Sequence, residues 1–170
     1  MTLNAATGKP QAISAALLFA GMIITVGTAL GFQHIGGYIP CKLCLEQRIP
    51  YYIGVPLMAL ALASALLKLP AVVTRSLLIA GALLMTWSVY LGGFHSGVEW
   101  GWWPGPTDCG LVAAPEGDTA GGVLGQLNTV IPPSCDQAAG RFLGLSFAGW
   151  NFVASLVLAG IAYWGAFRRA

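Results

Sequence analysis

Four long apolar stretches alternate with shorter polar ones along the chain. Residues 13–32, 50–67 and 143–167 carry no charged side chain, and 72–94 carries only Arg75. Each stretch comes close to the roughly 20 residues that a helix needs to cross the hydrocarbon core. Pro50 and Pro56 fall in the second stretch, and membrane helices tolerate proline where neighbours satisfy the freed carbonyl. The pattern predicts an all-α integral membrane protein, a single domain over 1–170 built as a four-transmembrane-helix bundle. Outer loops are expected at about 33–49 and 95–142.

Composition agrees with the pattern. Of the 170 residues, 56% are hydrophobic and 8% charged, where a soluble domain carries roughly 25% charged residues. So few charges cannot coat a water-facing surface of this size. The first apolar stretch is also longer than the roughly 7–15 residues of a signal-peptide core, so an uncleaved first helix is expected.

Charge sets the orientation. The N-terminal tail, the link after the second stretch and the C-terminal tail hold Lys9, Lys68, Arg75, Arg168 and Arg169, and no acid. The other segments hold Lys42, Arg48 and Arg141 with all six acids. Basic residues favour the cytoplasmic side, which predicts both termini in the cytoplasm. All four cysteines (Cys41, Cys44, Cys109 and Cys135) then face outward, where disulfides persist. In a bacterium that side is the periplasm and the membrane is the inner one.

The second outer loop opens with Trp100, Trp102 and Trp103, residues that settle at the membrane–water interface. Further on, Val123, Leu124, Leu127, Val130 and Ile131 recur at helical spacing. They predict a short amphipathic helix in the interface plane or, equally, a few apolar contacts with the bundle top.

The chemistry gathers in "IPCKLCLEQRIPYY", residues 39–52. If a helix begins near Pro40, Cys41 and Cys44 share a face and Arg48 follows Cys44 by one turn. A guanidinium and a helix N-terminus both favour a thiolate. If the helix begins at Pro50, that alignment is lost. Four cysteines allow three pairings. A bridge from Cys109 to Cys135 would contribute roughly 3 kcal/mol, but across a glycine-rich loop it would be accessible, and accessible bridges are labile. A metal site is not expected, because the second cysteine pair lacks a tight C-x-x-C or H-x-x-H spacing. Leu45 stands where c-type haem attachment needs histidine. His34 and His95 fall near the outer interface. His95 is a candidate hydrogen-bond partner for a ligand near Cys44, and Glu99 can orient it if that turn is helical. Two outward thiol pairs, one at the membrane surface and one in a loop, suggest a relay between a water-soluble thiol protein and a lipid-soluble quinone.

The stretch "FQHIGGYIPCKLCLEQR", 32–48, together with "FLGL", 142–145, and the position of His95, resembles the disulfide bond formation protein B (DsbB) family. The resemblance covers nearly the whole chain. It implies a protein-disulfide oxidoreductase with ubiquinone or menaquinone as electron acceptor and no metal. Cys41–Cys44 would be the quinone-proximal disulfide, with Cys44 in charge-transfer contact with the quinone. Cys109–Cys135 would be the shuttle disulfide, in which Cys109 forms the mixed disulfide with a DsbA-like periplasmic thiol oxidase and Cys135 then exchanges with Cys41. Arg48 would bind the quinone and favour the thiolate, and His95 would assist. The other expected partners are the quinone pool and the bilayer, with no nucleic acid. Three other readings stand beside this one: the same chemistry for one dedicated partner (DsbI-like), a membrane scaffold with purely structural disulfides, and a vitamin K epoxide reductase-like enzyme. The last is disfavoured because the C-x-x-C leads the second span.

Overall fold

The computed structural model describes residues 7–107 and 134–168. Helices α1 (Lys9–His34), α2 (Lys42–Glu46), α3 (Ile49–Leu66) and α4 (Ala71–Glu99) are followed by strands β1 (Arg141–Phe142) and β2 (Leu145–Ser146) and helix α5 (Phe147–Phe167). Four helical segments are long and apolar enough to cross a membrane: α1, α2 running into α3, α4, and α5. Helix α1 packs against α3 and α5, and α4 packs against the same two, so the four close into a bundle.

The distribution of side chains is that of a protein solvated by lipid. The interior is filled by small or flexible residues, among them Ala15, Met22, Met58, Ala61, Ala82, Met85 and Ala162. Large apolar side chains such as Ile24, Leu60, Leu83, Leu156 and Val157 point outward. Small residues let backbones approach where no hydrophobic force drives helices together. At Gly92 a Cβ would sit 3.0 Å from the backbone N and Cα of Phe152, so α4 and α5 touch there almost backbone to backbone. Gly165 likewise faces Ser14, where a Cβ would lie 2.4 Å from the serine side chain.

Hydrogen bonds tie the two ends of the chain together. Gln11 Nε2 donates to the Arg168 carbonyl at 2.8 Å. Thr7 Oγ1 donates to the Leu69 carbonyl at 2.9 Å and lies 2.9 Å from Thr74 Oγ1. The α3–α4 link and both chain ends therefore meet at one end of the bundle, with Lys9, Lys68 and Arg75 nearby. Cys41, Cys44 and Cys135 lie at the other end. Cys109 and the 123–131 stripe fall outside the described residues.

Two local features differ from the hydropathy pattern. Helix α4 continues past Phe94 through Glu99, so His95 is a helical residue rather than the first of a loop. Ser96, Gly97 and Val98 are buried in the protein there, and packing, not lipid, sustains the extra turn. The stretch at 143–146 does not open the last helix. Leu143 (φ +52°) and Gly144 (φ +85°) form the turn of a two-residue-loop hairpin, in which Arg141 pairs with Ser146 and Phe142 with Leu145. Positive φ at both central residues is the geometry that suits right-twisted strands. Ser146 then caps α5, its side chain accepting from the Gly149 N–H at 3.1 Å.

Candidate redox site

The C-x-x-C begins a helix of its own. Cys41 is the N-cap of α2, in extended conformation, and its Sγ accepts from the Cys44 N–H at 3.4 Å. Sulfur thus takes the capping role that a serine oxygen fills elsewhere. One turn on, Cys44 Sγ lies within hydrogen-bonding distance of Cys41 Sγ, at 3.0 Å. Of the two helix starts weighed from sequence, the one near Pro40 is realised, with Cys41 capping a helical stretch that runs on from Lys42. Helix α2 ends at Glu46, and Gln47 and Arg48 carry the chain in helical conformation into α3. Arg48 therefore keeps nearly the one-turn relation to Cys44. Pro50 sits in the first turn of α3, where its missing N–H is harmless.

The two sulfurs face different neighbours. Cys41 is buried in a small cluster with Leu43, Val98 and Cys135. Cys135 is disulfide-bonded, whereas Cys41 and Cys44 are free thiols. Cys44 instead lines a cavity of about 440 Å³ between α1, α5 and the start of α3. This volume lies within the roughly 300–1,000 Å³ of small-molecule sites. Most of the cavity wall is apolar, supplied by residues such as Ile24, Ala29, Phe32, Phe147 and Ala154. Polar side chains interrupt it: Gln33, Gln47, Arg48 and Asn151 join Cys44, with the hydroxyl residues Thr25, Thr28, Tyr38 and Tyr51 also in the lining. Arg48 Nη1 donates to Gln33 Oε1 in a very short contact. Phe32, Tyr38 and Phe147 pack edge-on and tilted at one wall, with centroids 4.8–5.9 Å apart.

Cys41 is held unusually acidic, pushed down to about 4. The hydrogen bond from the Cys44 thiol is the main cause; burial opposes it, and the His95 side chain reinforces it. His95 Nε2 lies 3.7 Å from Cys41 Sγ. Its Nδ1 lies 2.6 Å from Gln47 Nε2. Asn151 Nδ2 donates to Gln47 Oε1 at 2.7 Å, and Tyr51 Oη donates to Asn151 Oδ1 at 2.7 Å. A buried polar chain thus descends from the dithiol through His95 of α4, Gln47, Asn151 of α5 and Tyr51 of α3 into the bundle core, where Ser88 and Ser155 continue it at 2.8 Å. The turn carrying Glu99 is helical, as required for it to reach His95: Oε1 lies 3.8 Å from Nε2. His34 lies in the last turn of α1, at the same end of the bundle.

Sequence reasoning picked out Cys41, Cys44, Arg48, His95 and Glu99, and these the structure brings together. It passed over Gln33, Gln47, Tyr51 and Asn151. Their signal was present: polar side chains in or beside membrane spans are expensive, and they mark sites when they persist. Trp103, read as an interface residue, folds back on α4, stacked on Phe94 with centroids 5.9 Å apart and donating from Nε1 to the Phe94 carbonyl at 3.0 Å. Trp100 and Trp102 remain exposed.

The family model described as "Disulfide bond formation protein DsbB" matches residues 11–165. The chain belongs to the DsbB family. A "Disulfide bond formation protein B" of Saccharophagus degradans is 33% identical, over 92% of this chain and 93% of its own. The "Uncharacterized protein RP370" of Rickettsia prowazekii is 25% identical, over 93% of this chain and 89% of its own. No solved structure matches. Membership makes this a multi-pass membrane protein concerned with disulfide bond formation, a disulfide-forming oxidoreductase.

Proposed function

We propose that this DsbB-family protein is a thiol:quinone oxidoreductase of the bacterial inner membrane, with both termini cytoplasmic and the cysteines periplasmic. It re-oxidises a DsbA-like thioredoxin-fold protein and delivers the electrons to ubiquinone or menaquinone. One observation carries this reading: the C-x-x-C lies between two environments, Cys41 buried in a cluster with Cys135 and Cys44 lining a mostly apolar cavity with Arg48. The cavity suits a flat, lipid-soluble ring with polar edges, since polar side chains, Arg48 among them, interrupt a mostly apolar wall.

The chain's residues divide the work. A thiolate of the reduced partner attacks the Cys109–Cys135 disulfide at Cys109, forming a mixed disulfide and freeing Cys135. The partner's second thiolate resolves that bond and leaves oxidised. Cys135 attacks Cys41 of the Cys41–Cys44 disulfide, and Cys44 departs as thiolate. Each exchange breaks one S–S bond and makes another. The burial of Cys41 beside Cys135 supports the pairing of these two sulfurs. With Cys41 occupied by Cys135, Cys44 remains beside the Arg48 guanidinium at the cavity wall. Arg48, held by Gln33, binds the acceptor's oxygen edge, and His95 donates from Nε2 to sulfur. Cys109 then attacks Cys135, re-forming the Cys109–Cys135 disulfide and releasing Cys41, so that both electrons rest on the Cys41/Cys44 dithiol; a bound quinone would take up those two electrons and two protons as the Cys41–Cys44 disulfide re-forms. The two electrons and two protons lost by the partner dithiol thus balance the quinone reduced.

The test is turnover in detergent with a reduced DsbA-like protein and a soluble ubiquinone analogue. One quinone should be consumed per partner disulfide formed. Cys44→Ala should abolish quinone reduction, and Cys109→Ala should abolish exchange with the partner. Full quinone-dependent turnover by Cys44→Ala would sink the assignment. Bound quinone with the partner left reduced would point to a dedicated partner.

A further inference from the structure

His95 Nε2 stands between two groups that can share a ligand with it. Its neighbours are Cys41 Sγ at 3.7 Å, a long bond to sulfur, and Glu99 Oε1 at 3.8 Å, beyond hydrogen-bond range. Cys41 Sγ, Cys44 Sγ and His95 Nε2 all lie within 4.8 Å of one another. The Glu99 side chain is only 4% exposed, and its Oε2 has no hydrogen-bond partner. A buried carboxylate oxygen left unpaired is costly, and this one belongs to the side chain next to the His95 imidazole.

These separations fit the edges of a coordination polyhedron. With Zn–S near 2.3 Å and Zn–N near 2.0 Å, a tetrahedron has S···N edges of roughly 3.5 Å and S···S edges of roughly 3.8 Å. The separation of Cys41 Sγ from His95 Nε2, 3.7 Å, is already of that size. The S···S separation, 3.0 Å, needs only a small rotation of Cys44, the half-buried member of the pair. In sequence the donors are C-x-x-C at the start of α2 and H-x-x-x-E on one face of α4. A metal site had not been expected because a second cysteine pair was taken as the other half. The structure supplies His95 and Glu99 in its place.

We propose that the reduced site binds one thiophilic divalent cation, such as Zn²⁺, through Cys41 Sγ, Cys44 Sγ, His95 Nε2 and the Glu99 carboxylate. Binding displaces the proton that the two sulfurs share, and no electron moves. Forming the Cys41–Cys44 disulfide removes both thiolates and destroys the site. The cation therefore competes with oxidation and holds the protein in its dithiol state. Metal-bound histidines carry their second N–H on an outer-shell acceptor. Gln47 provides one: reversing its amide places Oε1 on Nδ1–H, Asn151 reverses with it, and Tyr51 turns its hydroxyl to Ser155 Oγ, 2.9 Å away. This inference goes beyond the reaction above and needs neither quinone nor partner.

The test uses full-length protein in detergent, with Cys109 and Cys135 replaced by alanine so that only the first pair ligates. Reduced protein titrated with Co²⁺ should bind one ion with the intense visible bands of a tetrahedral site and sulfur-to-cobalt charge transfer. Zn²⁺ should displace it, and oxidised protein should show no bands. Gln47→Leu should weaken binding about tenfold, and Glu99→Gln and His95→Ala at least as much. Equal affinity in all three variants would mean that the dithiol alone holds the ion, and would overturn the four-ligand site. So would absence of binding. X-ray absorption of the Zn²⁺ form without the ligand substitutions decides independently of variant folding. Two sulfurs with imidazole and one oxygen support the site, and two sulfurs without imidazole overturn it.

Discussion

Gln47 Nε2 lies 2.6 Å from His95 Nδ1, and this pair sets the tautomer at the redox centre. Because Asn151 donates to Gln47 Oε1, the nitrogen of that amide must face the ring, so Nδ1 accepts and Nε2 carries the proton toward Cys41. Gln47→Leu removes the donor and strands Asn151 Nδ2 in a buried site. An unpaired buried polar group costs about 1–3 kcal/mol. We expect a loss of that size in detergent unfolding, and ¹⁵N spectra in which the His95 ring no longer favours Nε2–H. Unchanged ring shifts in the variant would show that another group sets the tautomer.

The acidity of Cys41 predicts an unusual pH profile. Thiolate is the nucleophile. Its folded-state value is depressed to about 4, so the thiolate fraction stays near unity from pH 8 down to about 5 and falls only as pH approaches 4. An ordinary cysteine, with a value near 8.5, loses about tenfold in rate per pH unit below that point. Alkylation of Cys41 in the reduced protein, followed by mass spectrometry, should therefore be nearly flat between pH 5 and 8. Cys44→Ala removes the main cause of the shift, and its Cys41 profile should bend upward through neutral pH. A wild-type profile that already climbs tenfold per unit through that range would refute the shared-proton arrangement.

What could be read in the sequence, and what could not, follows from where the information resides. The spans show in hydropathy because lipid contact acts on each residue separately: Ile24 or Leu156 needs only a lipid neighbour. The C-x-x-C and Arg48 show because they sit within one turn of each other. The chain Gln47–Asn151–Tyr51 joins residues up to 104 positions apart, and each is a single polar side chain in or beside an apolar run. Only the docking of α3 and its N-terminal approach against α5 reveals it. The last turn of α4 was hidden for a related reason. Ser96 and Gly97 look like loop residues, yet Gly97 is required: a Cβ there would lie 2.1 Å from the Trp103 ring that folds over the helix.

The contact of α4 with α5 predicts sharp sensitivity at one glycine. A Cβ on Gly92 meets the Phe152 backbone at 3.0 Å, and backbone cannot rotate aside as a side chain does. Gly92→Ala should destabilise the bundle by about 1–3 kcal/mol, the usual range for overpacking. Gly160, on the same helix as Phe152, has nothing within 4 Å of a built Cβ, so Gly160→Ala should be neutral or slightly stabilising in a helix. Unfolding midpoints of the two variants in mixed micelles provide the comparison. Equal midpoints would mean that α4 and α5 are not in backbone contact.

Arg48 and Gln33 should separate acceptor binding from thiol exchange. Both line the cavity and bond each other, while Cys41 and Cys135, the exchanging pair under the proposed function, share a different cluster. A hydrogen bond to a charged group contributes about 1.5–3 kcal/mol, equivalent to roughly ten- to a hundredfold in affinity. Arg48→Leu should therefore raise KM for a soluble quinone analogue by roughly that factor, because the positive edge of an otherwise apolar cavity is gone. Gln33→Leu leaves the guanidinium in place but free to swing, so its KM should rise by less. Stopped-flow mixing of oxidised protein with a reduced thiol partner, without quinone, measures the exchange half alone. Either substitution slowing that step as much as quinone turnover would place Arg48 in the thiol relay rather than at the acceptor, and would reverse the assignment of the two faces.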